Sequence, residues 1–154
     1  MKQVVLDSHP LSLLANPAST PTIVAISAWA TSLLAAGNRV TVPEVIDYEL
    51  RRELIRAGKT ASIVELDSLK SRLYYLPITT EAMVLAADLW ARARNAGTPT
   101  GDPKKLDIDV ILAAQALTEG RSLGLSGPEV VVATTNVSHL SQFVTADLWT
   151  NIKP

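Results

Sequence analysis

Residues 4–8 read Val4-Val5-Leu6-Asp7-Ser8, an apolar run stopped by a carboxylate. The run predicts a strand over 3–6, buried on both faces as the strands of a parallel sheet are. An acid at the rim of such a core costs several kcal/mol unless it is paired or bound to a metal. A second run of the same character, Val130-Val131-Val132-Ala133, is followed shortly by Asn136. Between the two, helical and strand-like stretches alternate. Helices are expected over 22–36, 44–57, 61–71, 80–94 and 106–119, with Thr20-Pro21, Pro43 and Thr80 at three of the starts. Short strands are expected over 39–42, 73–78 and 129–133, Pro/Gly-rich loops over 97–105 and 120–128, and a turn or short helix over 139–144. Strands separated by helices predict an α/β domain with a mostly parallel sheet covered on both faces.

The bulk numbers set limits on what such a domain can do. The 154 residues suit one domain, 1–154, large enough to bury about 70% of its unfolded surface. The chain is 47% hydrophobic and 19% charged, which excludes disorder. Aromatic residues make up only 5%, so base stacking is not a main binding device. A formal net charge of −1 argues against a dedicated high-affinity DNA binder, although Arg51, Arg52, Arg56 and Lys59 cluster at one helix end. The chain has no cysteine, which removes disulfides, thiolate metal sites and cysteine nucleophiles and fits a reducing cytoplasm. Residues 8–38 carry no charged side chain, but Pro10, Pro17 and Pro21 interrupt them and 22–36 is too short to span a membrane. No membrane association and no signal peptide are expected.

Functional groups of a parallel sheet collect at the carboxyl ends of its strands. Asp7 and Asn136 both follow strand runs and can share that edge. On the helix after Pro43, Ile46, Leu50 and Leu54 form one stripe, with Glu49 at its border and Glu53 near its middle. On the later helix Asp109 falls on the face of Leu112, Ala113 and Ala116, whereas Asp107 points the other way. The small alanines let that helix approach the sheet closely and carry Asp109 inward. Three acids brought together in this way suggest a cation site. Each residue also has a plainer reading. Asp7 can be a turn former, Glu49 a helical ion-pair partner of Arg52 or Arg56, Asp109 a first-turn acid, and Asn136 a turn residue. Glu44 is read as support for a helix start, His9 and His139 as turn or core residues, and Trp29, Trp90 and Trp149 as core or interface.

The order Val-Val-Leu-Asp-Ser (4–8), Pro-Glu-Val-Ile-Asp-Tyr-Glu-Leu-Arg-Arg-Glu-Leu (43–54), Leu-Asp-Ile-Asp-Val-Ile-Leu-Ala-Ala-Gln-Ala-Leu (106–117) and Val-Val-Val-Ala-Thr-Thr-Asn-Val-Ser-His-Leu (130–140) resembles the PIN-domain family. The likeness is strongest to its bacterial toxin-type, VapC-like ribonucleases, and runs from Val4 to about Trp149. It implies a three-layer α/β/α sandwich that cuts RNA with Mg²⁺ or Mn²⁺, as the toxin of a toxin–antitoxin pair. By that resemblance Asp7, Glu49 and Asp109 are metal ligands, and with Asn136 they form the catalytic set. Ser8 and Thr134 orient waters or phosphate, and Arg51, Arg52 and Lys104 are candidate backbone contacts. Asn136 stands where many members carry Asp; an amide oxygen ligates without charge, which suits one tightly held metal better than two. Asp107 and Glu53 are possible substitutes. A homodimer and a small antitoxin protein are the partners the resemblance implies.

Two other classes compete with this reading. A PIN-type module can bind RNA or protein and cut weakly or not at all, as Asn136 and the near-neutral charge suggest. A purely structural subunit is compatible with a mean hydropathy of +0.21. No phosphate-cradling glycine motif and no nucleophile-elbow pattern occurs in the sequence.

Overall fold

The computed structural model describes residues 1–97 and 103–154. Its strands are β1 (Gln3–Leu6), β2 (Arg39–Pro43), β3 (Tyr74–Leu76), β4 (Val130–Ala133) and β5 (Thr145–Asp147). Its α-helices are α1 (Ser8–Leu14), α2 (Pro21–Ala35), α3 (Glu44–Arg56), α4 (Thr60–Arg72), α5 (Thr80–Asn95), α6 (Pro103–Ser122) and α7 (Val137–Leu140). The strands form one parallel sheet in the order β3-β2-β1-β4-β5. β1 is central, with Val4 facing Val40 on one side and Val131 on the other, and all four of its residues are buried. That two-sided burial is why its sequence is continuously apolar rather than alternating.

Several local devices place the helices. Thr20 accepts a hydrogen bond from Ile23 N and Pro21 opens α2, while Gly37 beyond its end has φ of 80°. Pro43 ends β2 and caps α3 with no loop between them, so α3 leaves directly from the carboxyl edge of the sheet. Helix α6 crosses close behind the sheet on Ala113, Ala114 and Ala116, all fully buried. Gln115 of α6 accepts from Val45 N at 3.3 Å and donates to Leu76 O at 2.9 Å, tying α6 to the start of α3 and the end of β3. Trp29 donates to Ile152 O at 2.8 Å and packs on Trp149 at 5.7 Å, which fastens the C-terminal segment.

The structure departs from the sequence reading at several elements. Helix α1 was not expected, because Pro10 reads as an interruption. Pro10 sits in the first turn, where its missing N–H has no helical partner to lose. Strand β5 is three polar or small residues at a sheet edge, too little for a sequence signal. β3 is shorter than expected, α6 begins at Pro103 rather than 106, and α5 is capped by Thr79, not Thr80. Part of the expected 97–105 loop, 98–102, lies outside the described residues. Trp90 is not core: it is 42% exposed on α5 with Arg94 over its ring. Among the described residues no helix is long and apolar enough to cross a membrane.

Gly120 of α6 lies against β4, and a Cβ there would overlap Val130 Cγ2, a stiff branched side chain in the core. Gly120→Ala is expected to destabilise the protein by about 1–3 kcal/mol. Each kcal/mol lowers Tm by about 2–4 °C, so thermal unfolding of the variant checks the close approach of α6.

Candidate functional site

Asp7 follows β1 and caps α1. Its Oδ1 accepts from Ser8 N at 2.7 Å, and its Oδ2 accepts from Thr134 Oγ1 at 2.7 Å. The backbone brings these two together. Asp7 N donates to Ala133 O and Thr134 N to Asp147 O, each at 3.0 Å, which extends the sheet one residue past β1 and β4. Thr134 Oγ1 accepts in turn from Asn136 N at 2.9 Å. Asp7 and Thr134 are both buried, so the hydroxyl and carboxylate satisfy one another where water cannot.

Asp109, in the first half of α6, is only 2% exposed. Burial pushes its carboxyl pKa up to about 7, the charge of Asp7 pushes the same way, Lys105 opposes the rise, and Glu49 adds to it. Glu49, on α3, has a buried Oε1 without a hydrogen-bond partner. Three carboxylates from the β1–α1 junction, α3 and α6 thus share one electrostatic field. An orphaned buried carboxylate oxygen and an acid held near neutrality are the chemistry that a divalent cation relieves. Among the described residues no three Asp, Glu, His or Cys side chains already stand close enough together to hold one ion. A cation here would therefore draw side chains inward or keep several waters, as Mg²⁺ commonly does.

The other expected residues divide. Thr134 and Ser8 contact Asp7 directly. Asn136 is half-buried ahead of α7, and among the described residues no hydrogen bond joins its side chain to the three acids. Arg51, read as a phosphate contact, is committed to acids: both its Nε and Nη2 bond Asp47, and Nη2 also reaches Asp67 at 2.7 Å. Those partners hold its guanidinium firmly protonated. Arg52 is exposed, with its guanidinium 5.1 Å from the Tyr48 ring. Glu53 is not in the apolar stripe; it is exposed and paired with Arg56 at 2.9 Å. The stripe logic fails there because the last turns of α3 run beyond the core. Asp107 is exposed beside Met83, Trp90 and Ile111, on the face away from Asp109, as its phase predicts. Lys104 is exposed.

Some polar residues were not foreseen. Asp47 is buried and also meets Lys70 at 3.5 Å; its spacing of four from Arg51 was the available signal. Glu44 does more than open a helix, since it accepts from Tyr75 Oη at 2.8 Å and Ile78 N at 3.0 Å; burial first, and then this bond, hold the Tyr75 phenol protonated. Lys105 carries no sequence signal beyond its place one turn before Asp109.

A family model for the PIN domain matches residues 4–126. The chain belongs to the PIN-domain family. Solved structures give the same architecture to this PIN domain. VapBC2 from Rickettsia felis, bound to a DNA fragment from its promoter, aligns with a TM-score of 0.70 at 16% identity, covering 96% of this chain and 98% of that one. VapBC-1 from nontypeable Haemophilus influenzae aligns at 0.66 and 21% identity, covering 97% and 99%. DNA-bound VapBC from Salmonella typhimurium aligns at 0.58 and 20%, also covering 97% and 99%. At such identities the likeness is one of fold. No curated protein matches the sequence.

The raised pKa of Asp109 sets a direction for stability. Folding raises it from an ordinary 3.8 to about 7, so the native state binds this proton more tightly than the unfolded chain does. The associated stability is present at low pH and is lost as pH rises through about 7. Without divalent cations, Asp109→Asn is expected to be more stable than wild type at alkaline pH, by on the order of 2–4 kcal/mol. The gap should close toward acid pH. Thermal unfolding of both proteins across pH checks this, and a gap that ignores pH contradicts it.

Proposed function

We propose that this PIN domain is a metal-dependent ribonuclease of the VapC-like toxin type, hydrolysing internal phosphodiester bonds of RNA. The observation that carries the reading is the buried, near-neutral Asp109 beside Asp7 and Glu49 at the carboxyl edge of the sheet. Asp7, Glu49 and Asp109 would hold Mg²⁺ or Mn²⁺. When bound, such an ion supplies positive charge against the phosphoryl oxygens and acidifies coordinated water.

The chain's own groups prepare that chemistry. Ser8 N and Thr134 Oγ1 fix both oxygens of Asp7, so one carboxylate is oriented in advance. Asp109 must release its proton near neutral pH to act as a ligand. The backbone N–H of Asn136 holds Thr134 in place, a role that needs no charge on the side chain. No side-chain nucleophile is required, and the chain has no cysteine to supply a thiolate. The similarity to VapBC structures supports an antitoxin protein as partner; a homodimeric toxin in the cytoplasm completes the proposal.

A second reading, a PIN-type module that binds RNA or protein without cutting, is favoured by one observation. No three ligand side chains are preassembled around one point among the described residues. Incubation of a mixed pool of single-stranded RNAs with Mn²⁺, Mg²⁺ or EDTA separates the two. The nuclease reading expects cutting that needs metal, is abolished in Asp109→Asn, and falls roughly 10- to 100-fold in Thr134→Val. Folded, metal-stabilised wild type that leaves every RNA intact sinks it in favour of the binding module.

A further inference from the structure

Gln115 is the polar residue of an otherwise apolar run on α6, Ile111 to Leu117. It is 1% exposed, so its amide must find partners inside the protein. Those partners fix which end is which. Val45 N can only donate and Leu76 O can only accept, so the amide oxygen faces α3 at 3.3 Å and the nitrogen faces β3 at 2.9 Å. Val45 and Leu76 are buried as well, so water is a poor substitute for either contact.

The bond to Val45 answers a deficiency of α3. The first turn of any helix presents N–H groups without helical partners, and a side-chain oxygen at the N-cap ordinarily takes one of them. The N-cap of α3 is Pro43, which has no such oxygen and makes no side-chain cap bond. Gln115 does from α6 what a Ser or Asp would do locally. The place is sensitive, because both flanking helices carry acids of the site. Glu49 lies four residues after Val45, about one turn along α3, and Asp109 lies six residues before Gln115, about 9 Å along α6. Pro43 joins β2 to α3 with no loop, so a displaced first turn finds no slack and carries Glu49 with it. The buried Oε1 of Glu49 has no hydrogen-bond partner, so at that atom only the helix sets its position.

We propose that Gln115 is a positioning residue: by capping α3 from α6 it sets Glu49 against Asp109, and with that the affinity of the acids for a divalent cation. The assignment rests on the metal-dependent reading of those acids. Gln115 acts through the two helices and not as a ligand. A side chain that only fills its volume keeps the packing of α6 and releases the start of α3.

The test is calorimetric titration with Mn²⁺, joined to amide hydrogen exchange at Val45, which needs no metal. Gln115→Met fills the space without an amide. Gln115→Asn, one methylene short of spanning both partners, carries the same test if Gln115→Met does not fold. Pro43→Ser in the Gln115→Met background returns a hydroxyl to the N-cap. Trp29→Phe, which loses its bond to Ile152 O on the C-terminal segment, is the control for general loosening. Thermal unfolding establishes that each is folded. Gln115→Met should bind Mn²⁺ roughly tenfold more weakly, and its Val45 amide should exchange about three- to thirtyfold faster. Pro43→Ser should recover part of both losses, and Trp29→Phe should bind as wild type does. Folded Gln115→Met with wild-type Mn²⁺ affinity overturns the proposal, since the amide then serves stability alone. An equal loss in Trp29→Phe, or no recovery with Pro43→Ser, overturns it too. Wild type that takes up no Mn²⁺ sinks the nuclease reading and the positioning role together.

Discussion

The structure depends on one unresolved electrostatic problem, the burial of Asp109 within the field of Asp7 and Glu49. Asp7 is satisfied on both oxygens, by Ser8 N and Thr134 Oγ1. Glu49 leaves one oxygen buried and without a partner, and Asp109 answers by holding its proton to near neutrality. A stable protein ordinarily removes such a cluster or pairs it with cations. Here Lys105 opposes the rise only in part. A strongly perturbed acid at the carboxyl edge of a parallel sheet is a candidate for a ligand site.

The architecture exists to hold those acids where they are. β1 and β4 run side by side to the same level, so Asp7 and Thr134 meet. α3 departs from Pro43 without a loop, which fixes Glu49 relative to the sheet. α6 lies close because its sheet-facing side chains are alanines and Gly120, and Gln115 locks it to both α3 and β3. Away from the acids, the ion pairs around Asp47 join α3 to α4 and occupy Arg51 and Lys70.

Much of this was legible because burial on both faces writes itself into composition. The runs 4–6 and 130–133 announce central strands, and an acid after one of them stands out against its neighbours. Asp109 was separable from Asp107 because 100° per residue puts them on different faces of α6. The same reasoning misjudged Glu53, since a stripe continues on paper after its helix has left the core. Helix α1 was hidden by Pro10, and β5 by its three-residue length. The commitment of Arg51 to Asp47 and Asp67 depends on α4 arriving beside α3, a tertiary fact that no local pattern contains. Lys105 was missed for a related reason. Its effect comes from the burial of Asp109 one turn on, and one lysine in a helix resembles any other.

The central proposal is that Asp109 holds its proton to near neutrality until a divalent cation binds. Calorimetric titration with Mn²⁺ at about pH 6.5, in two buffers of different ionisation enthalpy, counts the protons released on binding. Metal ligands must shed their protons, so release of roughly half a proton or more per Mn²⁺ is expected, and it should vanish in Asp109→Asn. Mn²⁺ binding with no proton release, or release unaltered in Asp109→Asn, would contradict the account.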